Sequence, residues 1–288
     1  MGHNRIRAAH QKFAAMRRSD NRRILTTHVG SLPRADGTDR PGEEGDAALQ
    51  QAVAEVVARQ RAIGLDVINE GEYAKGGDWL AYVDRRFAGF EARPPEGGKP
   101  LILQGKDREV FADFYRYATE RGSLFYEPAG QIKQSRPHWV ATAPISYCGE
   151  AALAREVELL RAAIGPESEA FITSTAPASL EPYRRNAYYK TQEEFLFALA
   201  EAMRTEYQAI IAAGFILQVD DAWLPALWDR IGIAMGLDAF RRYCEVRIEA
   251  RSTTHCAACP RTVSAITSVG AAGTGRTPST SSSTRSSI

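Results

Sequence analysis

"AIGLDVINEGE", residues 62–72, passes from a glycine through an apolar strand to a cluster of acids and an amide, and "AAGFILQVDDAW", residues 212–223, repeats the arrangement. Gly64 and Gly214 each end a helical run, as glycine commonly does past a helix C-terminus. The polar residues are held back to the end of each strand. Strands of this kind, alternating with helices, imply a parallel sheet covered by helices. In a (β/α)8 TIM-barrel such strand-end clusters surround one catalytic mouth. An open doubly wound sheet places them similarly, but no Gly-rich phosphate fingerprint follows the first strand, so the barrel is the preferred α/β fold.

Working outward, "ILTTHVGS" (24–31) reads as the first strand, residues 46–64 as a helix and "LDVINEGE" (65–72) as the second strand. Residues 73–135 are aromatic, charged and rich in Gly and Pro, and read as an insertion. "HWVATAPIS" (138–146) reads as the third strand, 149–165 as a helix, and "EAFITSTAP" (169–177) as the fourth strand. A long helix over 191–214 opens on a capping box, Thr191 with Glu194 three positions on. Residues 215–223 form the fifth strand and a helix follows over 228–250. The barrel is therefore expected to be incomplete, with about five strand–helix units over 23–250, a basic leader over 1–22 and a separate tail over 251–288.

The bulk composition is that of a globular protein, 44% apolar and 25% charged. A net charge of +1 gives no electrostatic reason to expect nucleic acid or an anionic membrane as partner. No run approaches the roughly 18 apolar residues of a spanning helix, and the leader "MGHNRIRAAHQKFAAMRRSDNRR" lacks the apolar centre of a secretory signal. Four cysteines make no disulfide framework, which suits a cytoplasmic protein.

The strand ends carry the candidate chemistry. His28, Val29, Gly30 and Ser31 close the first strand, where Gly30 lets backbone amides approach a ligand and Ser31 offers a hydroxyl to a carboxylate. Glu70 and Glu72 close the second and suit an ammonium group or a proton. Asp220 and Asp221 close the fifth, and a carboxylate pair there suits a metal, an amino-acid ammonium or glycoside hydrolysis. Each group also has a bland reading, as a cap or a solvated loop. Trp79, His138, Trp139, Tyr188 and Tyr189 read first as packing residues, and Cys148 and Cys244 as buried thiols.

"TTHVGSLPR", "GLDVINEGE" and "EEFLFALAEAMRTEYQAIIAAGFILQVDDAWL", in that order, resemble the cobalamin-independent methionine synthase family, in particular its stand-alone single-barrel members, over about residues 22–250. The resemblance implies a barrel whose mouth binds zinc and transfers a methyl or alkyl group to a thiol such as homocysteine, without cobalamin. A thiol of pKa about 8.5 is mostly protonated at neutral pH, and Zn²⁺ converts it to the nucleophilic thiolate. By resemblance, Val29, Gly30, Ser31 and Glu72 hold the amino-acid part of the thiol substrate, together with Asp220. Ala222 stands where relatives often carry proline. The implied partners are a small-molecule thiol and a methyl donor. Neither the donor's identity nor the oligomeric state is specified. A non-catalytic amino-acid-binding remnant is an alternative. Another is a metal-free barrel resembling uroporphyrinogen decarboxylase, which should gather several arginines near the first strand, where Arg34 is the lone candidate.

The family's zinc ligands, a His-x-Cys at a later strand end, an acid and a distant Cys, have no counterpart. "RSTTHCAACPRT" (251–262) places His255 and Cys256 side by side, the wrong spacing, with Cys259 beyond. The last 37 residues hold 17 Ser or Thr and no Leu, Phe, Tyr, Trp, Asp, Glu or Lys, and are expected to be disordered. The codon table offers an account. Joining the last base of each codon to the first two of the next lets "STTHCAACP" (252–260) read Leu-Asn-His-Ala-Leu-Arg-Gly-Leu-Pro, continuing the preceding helix. "AITSVGAAGTGRTP" (265–278) then reads Tyr-His-Ile-Cys-Trp-Gly-Ser-Trp-His-Gly-Pro-His-Thr, and a His-x-Cys returns. The tail is thus expected to be an out-of-frame translation, leaving the chain without zinc ligands and without activity.

Overall fold

The computed structural model describes residues 24–38, 40–76, 81–94, 105–120, 137–165, 169–253 and 264–267. The leader and most of the tail, with His255, Cys256 and Cys259, lie outside them. Four strands, β1 (Val67–Ile68), β4 (Glu169–Thr175), β6 (Ile216–Asp220) and β7 (Ser264–Thr267), form one sheet in the order β1-β4-β6-β7. Every pairing in it is parallel, and the register sets Thr175 beside Asp220 and Asp220 beside Thr267 at the C-terminal edge. Barrel closure is not seen among the described residues.

Helices α1 (Glu43–Ala62), α3 (Glu150–Ala163) and α4 (Gln192–Ala212) supply much of the core. The short α2 (Ala112–Glu120) lies between the first two. The buried positions of α4 include Phe195, Leu199, Met203, Glu206, Tyr207 and Ile210, a stripe at helical spacing. Truncating such a leucine to alanine removes about 2–5 kcal/mol. Thr191 caps α4 by accepting the Glu194 amide at 3.0 Å, and the Glu194 carboxylate takes the Lys190 amide at 3.0 Å. Gly64 and Gly214 have φ of 85° and 93°, the left-handed turns that stop α1 and α4.

Four expectations are corrected. Residues 24–31 form no ladder strand. The segment lies beside β1, with the Asp66 and Val67 amides donating to the Thr26 carbonyl, but the Asp66 carboxylate takes the Thr26 amide at 2.7 Å and so removes it from any ladder. The strand read at 138–146 is not in the main sheet. It is β3 (His138–Tyr147), antiparallel to β2 (Phe87–Arg93) and parallel to β5 (Arg184–Asn186) in a separate three-stranded sheet. Its mixed burial contrasts with the nearly continuous burial of β4, the mark of a strand with one wetter face. The helix read at 228–250 is broken: short helical turns run from Trp223 to Met235, Gly236 takes φ 80°, and only then does α5 (Leu237–Thr253) begin. Finally, β7 places a strand within the segment expected to have none.

Candidate functional site

The C-terminal ends of β1, β4 and β6 bring three of the sequence-selected groups together. The loop after residue 29 is laced to the loop after β1: the Leu32 amide donates to the Gly71 carbonyl at 3.1 Å, and the Tyr73 hydroxyl donates to the Pro33 carbonyl at 2.7 Å. Gly30 therefore sits against the Glu72 side chain. A methyl group added to Gly30 would lie 2.8 Å from Thr173 Cγ2 and 2.9 Å from Glu72 Oε1, and Gly30 has φ 135°, so only glycine fits without displacement. From the other side, Gln218 Nε2 donates to the Val29 carbonyl at 2.6 Å and to Asp220 Oδ1 at 2.9 Å. Val29, Gly30, Glu72 and Asp220 thus surround one mouth, with exposed Ser31 at its rim.

Glu72 has φ 59°, a left-handed backbone otherwise confined to glycines among the described residues. Its carboxylate accepts from the Thr173 hydroxyl and lies 3.9 Å from Lys75 Nζ. Lys75 is buried, donates to the Thr173 carbonyl at 2.6 Å, and lies 3.3 Å from Glu156 on α3. Burial opposes its charge, but Glu156 and Glu72 hold its pKa above the ordinary lysine value.

His28 is fully engaged. Nδ1 accepts the Gly30 amide at 3.2 Å, so Nε2 carries the proton and donates to Gln60 Oε1 at 2.8 Å. Gln60 is fixed in turn by the Asn69 carbonyl and amide, at 2.7 and 3.1 Å. His28 therefore shapes the loop before Gly30. Asp221 is engaged by other partners: it accepts from Ser179 at 3.1 Å and from Arg251 at 3.2 Å. Burial raises its pKa, and Arg251 and Ser179 offset part of the rise.

Glu70 is wholly enclosed, with no hydrogen-bond partner for either carboxylate oxygen among the described residues. Burial pushes its pKa up to about 8, with Glu156 and Glu72 adding to the rise and Lys75 opposing it. Beyond it lies a compensated ionic cluster: Arg86 bridges Glu156 and Glu206 at 2.9 Å each, and Glu206 accepts from Tyr147 and Ser174 at 2.7 Å. Burial alone would raise Glu206, but Arg86 holds it below the usual carboxylate range.

Three contributors were not selected from sequence: Thr173, Lys75 and Gln60. Thr173 leaves a trace as a polar residue inside the apolar strand "EAFITSTAP", and Lys75 as the cation three residues after Glu72. Gln60 leaves none, because an amide on a helix reads as surface.

The side chains gathered at this mouth do not fit zinc. Among the described residues no group of three His, Cys, Asp or Glu is placed to hold a metal ion. Both nitrogens of His28 are occupied, and Cys148 and Cys244 lie on the second sheet's margin and on α5, apart from the mouth.

The described strands form a parallel α/β sheet whose C-terminal ends gather a glycine turn and two carboxylates, the edge at which α/β folds commonly hold ligands. No protein-family model matches the chain. By sequence it is similar to a methionine synthase from Sulfolobus acidocaldarius, 25% identical over 227 residues, which cover 74% of this chain and 55% of that protein. By structure it is similar to a vitamin-B12 independent methionine synthase target from Listeria monocytogenes, with a TM-score of 0.55 and 19% identity, covering 85% of this chain and 65% of that one. It is also similar to a B12-independent methionine synthase from Shewanella sp. W3-18-1 solved with selenomethionine, with a TM-score of 0.51 and 16% identity, covering 77% of this chain and 58% of that one. The chain is distantly related to the cobalamin-independent methionine synthase family. It spans about half the length of the curated relative it matches. No helix among the described residues is long and apolar enough to cross a membrane.

Proposed function

We propose that the mouth formed by Val29, Gly30, Ser31, Glu72 and Asp220 holds the amino-acid end of a small thiol such as homocysteine, as the front part of a cobalamin-independent methyltransferase. The observation that carries this reading is the convergence on Gly30, with Glu72 on one side and the Gln218–Asp220 pair bound to Val29 on the other. Two carboxylates suit an ammonium group, and the amides and hydroxyl of the 29–31 turn suit a carboxylate. His28 and Asp221, also selected from sequence, serve the same mouth by fixing the turn and the end of β6.

Methyl transfer needs a thiolate, and the described residues offer no donor set to make one on zinc. On this reading the described residues supply the substrate-binding side of the site. The out-of-frame reading accounts for this: its Tyr-His-Ile-Cys begins within β7, whose ladder runs beside the strand holding Asp220. Resequencing the gene around codon 251 tests that part directly. An unaltered frame, read without error, overturns it.

Isothermal titration with L-homocysteine and L-methionine tests the binding reading. Both should bind the chain as written, and Glu72→Gln should weaken each about tenfold, the scale of one charge-assisted hydrogen bond. Equal affinity in the variant overturns the assignment.

A further inference from the structure

Beside the thiol mouth, between the loop after Ser31, the start of α1 and α3, the surface folds into a cavity of about 350 Å³. Four arginines line it, Arg34, Arg40, Arg85 and Arg155, with Asp46 and Tyr73. The volume lies within the roughly 300–1,000 Å³ range of small-ligand sites. Among the described residues the charge balance is lopsided: four guanidiniums and one carboxylate line the cavity, and Asp46 is already engaged by Arg155. The side chains of Arg40 and Arg85 form no ion pair among the described residues. Arg85 and Arg34 come together beside Gly76, where an added methyl group would lie 3.6 Å from Arg85 Nη2 and 4.0 Å from Arg34 Nη1.

The backbone adds to this field. Gly42 and Gly45, at the first turn of the twenty-residue α1, also line the cavity, and no side chain caps that helix end. The positive end of the α1 dipole therefore adds to the field there, with the Arg40 carbonyl packed against Gly45. Glu43 and Glu44, in the same turn, are exposed and do not line it. Arginine forks match planar or tetrahedral oxyanions by paired hydrogen bonds.

We propose that this cavity is a second binding site, for a small molecule carrying at least two negative charges on one compact oxyanion group or on neighbouring carboxylates. The shared chemistry admits two sources, a phosphate ester or a polycarboxylate. The loop after Ser31 connects it to the thiol mouth, but it draws on different side chains, so either site can stand without the other. Arg34 and Arg40 share the loop after Ser31, whereas Arg85 and Arg155 come from separate segments and join them only in the fold.

The test is isothermal titration of the full chain at low salt with inorganic phosphate and, separately, with citrate. Saturable binding of phosphate assigns the site to phosphate esters, and preference for citrate assigns it to polycarboxylates; both support the proposal. Arg40→Gln with Arg85→Gln, two exposed positions, should weaken the bound anion about tenfold or more while leaving the circular dichroism melt and homocysteine binding unchanged. The single variant Arg40→Gln repeats the measurement with the smallest perturbation. Failure of both anions to bind, or binding that survives the double substitution, overturns the proposal.

Discussion

The carboxylate pairs that end β1 and β6 look alike in sequence and are treated in opposite ways. After β1 the first acid, Glu70, is enclosed with no hydrogen-bond partner among the described residues and the second, Glu72, turns to the mouth. After β6 the first acid, Asp220, is joined to the mouth through Gln218, and the second, Asp221, is enclosed but held by Arg251 and Ser179. Both buried acids have raised pKa values, but only one is compensated. The role of a strand-end carboxylate is therefore set by what closes around it, not by its place in the strand.

The largest effect should separate the two pairs by pH. The Glu70 pKa, about 8 in the fold, lies above its ordinary value of 4.5. Its contribution to stability is complete below the lower value and is lost as pH rises toward the upper one, because the unfolded chain releases the proton first. At about 1.4 kcal/mol per unit, the loss is on the order of 4 kcal/mol between pH 5 and pH 8. Urea denaturation across that range should show this slope in the wild type and its disappearance in Glu70→Gln. Equal slopes would mean that Glu70 ionises freely and that the contrast between the pairs is false.

The next effect belongs to the compensated acid. Arg251→Met leaves Asp221 buried with only the Ser179 hydroxyl and the Leu224 amide and should destabilise the fold by about 3 kcal/mol at pH 7, read by the same denaturation. A change near zero would place Asp221 in the same class as Glu70. Gly30→Ala presses a methyl group on Thr173 and Glu72 and should cost about 2 kcal/mol, with weakened homocysteine binding. The smallest effect falls on the link between the segments: Gln218→Leu removes the bonds to Val29 and Asp220 and should cost about 1 kcal/mol.

The elements that sequence predicts well are those fixed locally. The glycine stops at Gly64 and Gly214, the Thr191 cap and the apolar stripe of α4 depend on residues a few positions apart. What escaped depends on partners far along the chain. "HWVATAPIS" looks like any buried strand until β2, about fifty residues earlier, pairs with it. "ILTTHVGS" has strand composition, but one carboxylate from Asp66 captures the amide that a ladder needs. At the site the strand-end acids were legible because carboxylates after apolar runs are conspicuous. Thr173, Lys75 and Gln60 were not, since a threonine, a lysine and a glutamine have ordinary surface roles and acquire another only through contacts such as Gln60 to His28.

The left-handed backbone at Glu72 has one further consequence. A residue with a Cβ in that region carries a standing penalty of roughly 1–3 kcal/mol, which glycine would largely relieve. Drift in a gene released from selection should therefore move this position early toward glycine or asparagine, since those changes strengthen the fold while erasing the carboxylate. The position serves as a gauge of disuse: retention of glutamate among near kin of this chain would mark a mouth still in service, and its replacement would date the moment the ligand ceased to matter.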